Sequence, residues 1–285
     1  LVDLERWGRY DHDVVFSDSS EEAIELAEQA DIIHLHNYLD YHSRDFHPLS
    51  FDALRQQGKA FTRQFHSHPG LVAQLMGTDS RKLLSSSIPS LVIAQFQERY
   101  YPSARVVPNI IPQDDLLYQP RVAIAEREVF FSPSTLRGAW ENRWNTKGKP
   151  ETVAVMKRVR DSTGCQIKCL TGRPLAEALQ EKAKALVVVD DLVTGSYHLS
   201  GLEGLSLAKP VLAFLDGRTK YVLSAISGSE VCPFANVRLE DAEEVLVYLL
   251  KHPDVAIDIG KASREWIDTY WSDRILVRHF VDVYE

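Results

Sequence analysis

Along this chain, short apolar runs alternate with segments whose apolar residues recur at helical spacing. "HDVVFS" (12–17) reads as a strand, and Ser17 to Ser20 followed by Glu21 and Glu22 signal a helix start. The helix "SEEAIELAEQA" places Ala23, Ile24, Ala27 and Ala30 on one side. "DIIHLHN" is the next strand, "FDALRQQG" a helix closed by Gly58, and "KAFTRQFHS" another strand. "PSLVIAQFQERYY" mixes strand and helix features, and "ARVVPNIIP" is a strand that ends in a proline-marked loop. The alternation predicts a parallel sheet with crossover helices.

The stretch "IPQDDLLYQPRVAIAERE" carries two prolines and a charge-rich approach to "EVFFSPS", and residues 113–127 read as a linker. Beyond it the alternation resumes: "PETVAVMKRVRDSTG" (helix), "CQIKCLTG" (strand), "LAEALQEKAKA" (helix), "LVVVDD" (strand), then a helix near Glu203 and the strand "PVLAFLD". A further helix spans roughly 240–251, and the chain closes as two helices or one bent helix. The reading is α/β, with two Rossmann-like domains facing a central cleft. They cover 1–115 and 128–265, with 266–285 crossing back onto the first.

The 285-residue length suits two such domains, and 45% hydrophobic with 25% charged residues is ordinary for a soluble protein. A net charge of -8 argues against a general nucleic-acid binder. No run approaches the ~20 apolar residues that cross a bilayer, the N-terminus does not read as a signal peptide, and a cytoplasmic location is expected. Cys165, Cys169 and Cys232 make no disulfide framework; Cys165 and Cys169 share one face of a strand, and buried thiols are expected.

"LSGLEGLSLAKPVLAF" (199–214) sets one carboxylate, Glu203, among apolar and small residues. It is read either as an anion favoured by the first turn of a helix, or as a ligand group at the carboxyl edge of a parallel sheet. Paired imidazoles stand at two strand ends, His34 with His36 in "HLH" and His66 with His68 in "HSH". That spacing also occurs among zinc ligands, which keeps a metal-dependent hydrolase open as an alternative.

Five segments in order resemble the retaining, family-4-like (group 1) glycosyltransferases of the two-Rossmann-domain, or GT-B, type. These are "ADIIHLHN", "VVPNIIP", "FFSPSTLRGAWENRWNTKG", "ALVVVDDLVTGSYHLSGLEGLSLAKPVLA" and the closing "REWIDTYWSDRILVRHFVDVYE", and "FTRQFHSHPG" falls where a strand of that fold ends in a donor-side histidine. Two positions depart from the pattern. Gly195 stands where many members carry an acid, and His198 where they carry glycine. The strand and glycine-rich loop that open that fold are expected to be missing ahead of "LVDLERWGRYDHDVVF".

The resemblance implies sugar transfer from a nucleotide-diphosphate sugar, with no metal and no further cofactor. It implies Lys147, with Arg143 and Arg137, against the donor diphosphate, and Gly195, Tyr197 and His198 in a loop beside it. A fixed cation can stabilise the leaving diphosphate as the glycosidic bond breaks. Glu203 would accept from the ribose hydroxyls, and Arg173, Pro174 and Leu175 would border the base. His66 would contact the donor sugar, Lys147 and His66 being the catalytic pair, while His36 and His68 would line the acceptor side. The acceptor is a glycan, a lipid-linked species or a small molecule rather than a nucleic acid, and peripheral membrane contact is left open. A sugar-nucleotide-binding protein without turnover is the other reading.

Overall fold

The structure is a computed structural model that describes residues 14–121, 126–133 and 147–284. The chain divides into two compact units, one of residues 1–108 with 281–285 and the other of 109–280.

The first unit contains helix α1 (Ser20–Gln29), strand β1 (Ile32–His36), helix α2 (Phe51–Gln56) and strand β2 (Ala60–Phe65). Helices α3 (Pro69–Leu75) and α4 (Ser80–Leu84), strand β3 (Ser90–Ile93) and strand β4 (Arg105–Val107) follow. The four strands are parallel in the order β1-β2-β3-β4. Helix starts match their capping residues: Ser50 accepts from the Ala53 N–H, and Asp79 accepts from those of Arg81 and Lys82. Two apolar clusters hold the unit together, one around Phe65, Val72, Val92 and Tyr101, the other around Leu35, Phe51, Leu54 and Phe61.

The second unit contains β5 (Glu126–Phe131), α5 (Lys149–Thr163), β6 (Gln166–Cys169), α6 (Leu175–Lys184) and β7 (Ala185–Val189). It continues through α7 (Leu199–Ser206), β8 (Val211–Ala213), α8 (Gly217–Ser227), β9 (Ala235–Asn236), α9 (Ala242–Lys251) and α10 (Pro253–Tyr270). Its sheet is parallel throughout, in the order β6-β5-β7-β8-β9. All five residues of β7 are buried, as expected of a strand with helices on both faces. Each fully buried Val or Leu there contributes about 1.5–3 kcal/mol relative to exposure.

The structure departs from the sequence reading in several places. Val14 to Phe16 are not strand, and the start of "HDVVFS" lies outside the described residues. "PSLVIAQFQERYY" resolves into β3 followed by a 3-10 turn at Phe96–Tyr100. Much of the expected linker is built into the second unit. Tyr118 is buried, and its carbonyl accepts from Ser206 Oγ at 2.7 Å and Arg264 Nη1 at 3.1 Å. The division therefore falls at Pro108 rather than near 115, and 122–125 lie outside the described residues.

The end of the chain also differs. Residues 266–280 belong to the second unit, including the short helix α11 (Asp273–Leu276), because Trp266 and Trp271 are buried in it. The last helix, α12 (Arg278–Tyr284), carries only its end into the first unit, where Asp282 pairs with Arg105 at 2.8 Å. Of the thiols, Cys165 is buried, Cys232 half-buried and Cys169 exposed, since Cys169 ends the edge strand β6. No helix among the described residues is long and apolar enough to cross a membrane.

Candidate functional site

Strand β7 ends at Val189, and its apolar run gives way at once to Asp190 and Asp191, both wholly buried. Such a position, the carboxyl end of a central parallel strand, is where open α/β sheets bind ligands. Asp190 Oδ1 accepts from Lys147 Nζ at 2.7 Å, and Oδ2 accepts from the His198 backbone N–H at 2.6 Å. Asp191 holds the loop that follows: Oδ1 accepts from the Val193 and Thr194 N–H groups, and Oδ2 from Thr194 Oγ1. His198 Nε2 lies 3.2 Å from Asp191 Oδ2. Burial alone would push the Asp191 carboxyl up, but His198 and Thr194 outweigh it and hold it below its ordinary range.

Lys147 is 1% exposed and has a left-handed backbone at φ 51, followed by Gly148 at φ 55. Gly148 is required twice over. Its φ is unfavourable for other residues, and a Cβ there would stand 2.2 Å from Val193 Cγ2. The pair therefore lets the turn before α5 press directly on the loop after β7. A non-glycine residue held left-handed, as Lys147 is, costs about 1–3 kcal/mol and persists where its surroundings fix it.

Gly195 lies at φ 83, and its carbonyl accepts from the Asp216 N–H and from Thr219 Oγ1. A side chain there would meet Asp216 Oδ2 at 3.0 Å, so the acid seen at this position in the resembling family does not fit. His198 caps α7, its carbonyl accepting from the Gly201 N–H at 3.0 Å. Ser196 is buried, and its Oγ has no partner among the described residues.

Two expected ligand groups sit elsewhere than the sequence suggests. Tyr197 is fully buried with its ring 5.2 Å from that of Phe234, so its side chain belongs to the core rather than to a diphosphate pocket. Burial pushes its hydroxyl pKa up. Glu203 lies in the second turn of α7, not the first, and its carboxylate accepts from Lys182 Nζ on α6. Lys182 also donates to the Ser200 carbonyl at 2.9 Å and to Ser200 Oγ at 3.1 Å. Neither the dipole partner nor the open ribose ligand describes this carboxylate, because a buried ammonium already holds it. Burial lowers the Lys182 pKa, with Glu203 opposing the shift.

Arg173, Pro174 and Leu175 occupy the turn from β6 into α6, and Pro174 precedes the first helical residue. Arg173 is 59% exposed and pairs loosely with Glu177 at 3.8 Å. Arg137 and Arg143 lie outside the described residues. The structure thus gathers Lys147 and His198 around Asp190 and Asp191, sets Gly195 against Asp216 and Thr219, leaves Arg173 on the β6 turn, and assigns Glu203 to Lys182.

In the first unit the carboxyl ends of β1 and β2 carry a stack of imidazoles. His34 and His36 rings stack at 4.7 Å, and His36 and His66 at 5.1 Å. His36 Nδ1 and His66 Nε2 share a hydrogen bond of 2.9 Å, and His34 Nδ1 shares one of 2.6 Å with the Tyr284 hydroxyl. Asn37 holds the two strand ends together, accepting from the His66 N–H at 2.7 Å. Burial first, then the neighbouring imidazoles, depress His34 to about 4 and His66 to about 3; burial lowers His36 as well. His68 stands apart as the cap of α3, accepting from the Gly70 N–H, with its ring against Tyr100. No group of three His, Cys, Asp or Glu among the described residues is disposed to hold a metal ion. The strands form two open sheets rather than a barrel.

Sequence reasoning missed Asp190, Asp191 and Lys182. The first two were signalled by a paired acid at the end of an all-apolar strand. Lys182 was signalled by spacing, since Leu175, Leu179 and Lys182 share one helical stripe.

No protein-family model and no curated protein matches the chain. Solved structures do. TarM of S. aureus, solved with fondaparinux, α-GlcNAc-glycerol and UDP, is 11% identical over 78% of this chain and 55% of its own, with TM-score 0.52. HepE of Anabaena, in complex with UDP and glucose, is 10% identical over 95% and 84%, with TM-score 0.55. The sucrose-phosphate synthase of Thermosynechococcus elongatus is 14% identical over 94% and 75%, with TM-score 0.53. These are glycosyltransferases, and the likeness is one of fold: two Rossmann-like domains of the GT-B type. The chain spans about half the length of TarM.

Proposed function

We propose that the chain transfers a sugar from a nucleotide-diphosphate sugar to an acceptor, without a metal and with retention at the anomeric carbon. The observation that carries this reading is Lys147, held left-handed with its ammonium at the carboxyl end of β7, beside the loop that leads into α7. Breaking a glycosidic bond to a diphosphate leaves negative charge on the departing oxygen. A fixed ammonium and the first N–H groups of a helix stabilise that charge most where water is excluded. In this reading Lys147 carries the main charge, Arg137 and Arg143 add to it, and Gly195 and His198 border the diphosphate. The exposed turn at Arg173, Pro174 and Leu175 borders the base. His66 acts on the donor sugar, and His36 and His68 line the acceptor side. The acceptor is a glycan, a lipid-linked species or a small molecule, met in the cytoplasm.

Calorimetry with UDP, GDP, ADP and dTDP tests the donor half. Lys147→Ala should weaken binding of the preferred diphosphate by about 1.5–3 kcal/mol and leave its nucleoside nearly unaffected. Release of nucleotide diphosphate from the matching sugar, unchanged by EDTA, tests transfer and metal independence, and the anomeric configuration of the product tests retention. A sugar-nucleotide-binding protein without turnover is the second reading, favoured by Gly195 standing where the resembling family carries an acid. Binding without release on any acceptor would select it.

A further inference from the structure

His36 ends β1 and His66 follows β2, two adjacent parallel strands, so both imidazoles stand at the sheet edge where open α/β folds bind ligands. Their ring planes lie 21° apart with centres 5.1 Å apart, and His36 Nδ1 meets His66 Nε2 at 2.9 Å. The near-parallel rings are thus offset so that these two nitrogens face one another. The surroundings fix both rings. Tyr284 holds His34 Nδ1 at 2.6 Å, and the His34 ring lies 7° from parallel to that of His36. Asn37, left-handed at φ 43, reaches across to accept from the His66 N–H. The outer nitrogens, His66 Nδ1 and His36 Nε2, have no hydrogen-bond partner among the described residues. His36 is exposed, and His66 Nδ1 is not sealed from solvent.

One shared hydrogen ties the two tautomers together. When His66 Nε2 holds it, His66 Nδ1 presents a lone pair and His36 Nε2 an N–H. When His36 Nδ1 holds it, the outer nitrogens exchange roles. A proton taken in at His66 Nδ1, the shared proton passed to His36, and one released at His36 Nε2 convert the first arrangement into the second. Both rings are neutral before and after. Neutrality matters because burial, then the neighbouring imidazoles, hold His66 at about 3, and burial lowers His36. An imidazole that must become charged in such a place is a weak base for a hydroxyl. The pair avoids that charge.

We propose that His66 and His36 form a proton relay for sugar transfer, which takes the proton of the accepting hydroxyl at His66 Nδ1 and releases one to water from His36 Nε2. This rests on the transfer reading above and on no particular stereochemistry. The hydroxyl O–H bond breaks as its oxygen bonds to the anomeric carbon. The bond from that carbon to the diphosphate breaks with its electron pair going to the diphosphate, and the proton reaches water through the pair. Exchange with water then restores the first arrangement. His66 touches the substrate, and His36 acts through it.

Two measurements on the full chain test this. In nitrogen NMR of labelled histidines near neutral pH, both rings should be neutral, and a coupling across the hydrogen bond should join His66 Nε2 to His36 Nδ1. In single turnovers of UDP-, GDP-, ADP- or dTDP-glucose with water as acceptor, diphosphate release should slow in heavy water. Its dependence on deuterium fraction should be curved, the sign of more than one proton in flight. His36→Phe keeps a flat ring against His34 but relays nothing. It should lower the rate about 100-fold and straighten that dependence, with donor affinity within about threefold of the parent. His36→Gln should do the same, and it decides the matter if His36→Phe does not fold. A straight dependence in the parent, an undiminished rate in the folded variant, or an absent coupling overturns the relay alone. No release by the parent from any of the four donors overturns the transfer reading and the relay with it, even where the coupling is seen.

Discussion

Lys182 on α6 donates to the carboxylate of Glu203 on α7, and both side chains are buried, at 1% and 8% exposed. The two helices are consecutive crossovers in the second unit, so the pair fixes how they pack beside β7. Removing one partner leaves an uncompensated charge in the interior, and Lys182→Met or Glu203→Gln alone should cost about 3–5 kcal/mol. Replacing both, by Met and Leu, should recover most of that loss. Urea unfolding of the two single variants and the double variant measures it; additive losses would show that the pair is not coupled.

Gly201 faces Asp190 from the first turn of α7. A Cβ there would stand 2.6 Å from Asp190 Oδ2 and 3.0 Å from Phe234. Gly201→Ala should therefore destabilise by about 1–3 kcal/mol and weaken diphosphate binding, because Asp190 anchors both Lys147 and His198. Gly217→Ala is the control: it begins α8 with nothing within 4 Å of the new Cβ, and should stay within about 0.5 kcal/mol of the parent.

The parallel sheets were legible because strands covered on both faces leave continuous apolar runs, such as Val187 to Val189, between proline, glycine and serine breaks. The resemblance pointed to Lys147 and His198 as site residues, and the Lys147 side chain and the His198 backbone meet Asp190 at the end of β7. Partners were not legible. That Lys147 meets Asp190, and Glu203 meets Lys182, depends on which helices cross beside which strands, and no local pattern encodes it. Residues 113–118 read as linker from their polarity, yet Tyr118 packs into the second unit through a carbonyl that two distant side chains bind.

The imidazole stack should make stability depend on pH. His34 and His66 titrate in the folded state at about 4 and about 3, against an ordinary 6.5, because burial and mutual repulsion disfavour the charged form. The unfolded chain therefore takes up protons first, and their contribution, complete above 6.5, is lost as pH falls through the window down to the folded values. His66→Gln should flatten the fall in unfolding free energy between pH 6.5 and 4. An unchanged slope in that variant would assign the acid sensitivity to carboxylates instead.

Ala208 closes the turn between α7 and β8 with a left-handed backbone at φ 55. Ala208→Gly should relieve that strain and raise stability by about 0.5–1 kcal/mol net of the added freedom of the unfolded chain. The neighbouring Gly260→Ala should do the reverse, because its Cβ would fall 2.1 Å from the Ala208 carbonyl oxygen. Chemical denaturation of the two variants reads both signs.

Strand β7 lies in the middle of its sheet, hydrogen-bonded to β5 on one side and β8 on the other, while β6 and β9 form the edges. Amide exchange with solvent water begins where a sheet can fray, so deuterium should enter the edges long before it enters Val187 to Val189. Asp190 and Asp191 grow directly from that slowest segment. The groups that orient Lys147 and His198 are thus rooted in the part of the unit that opens last, and the edge strands can open and close many times while the geometry around Asp190 persists.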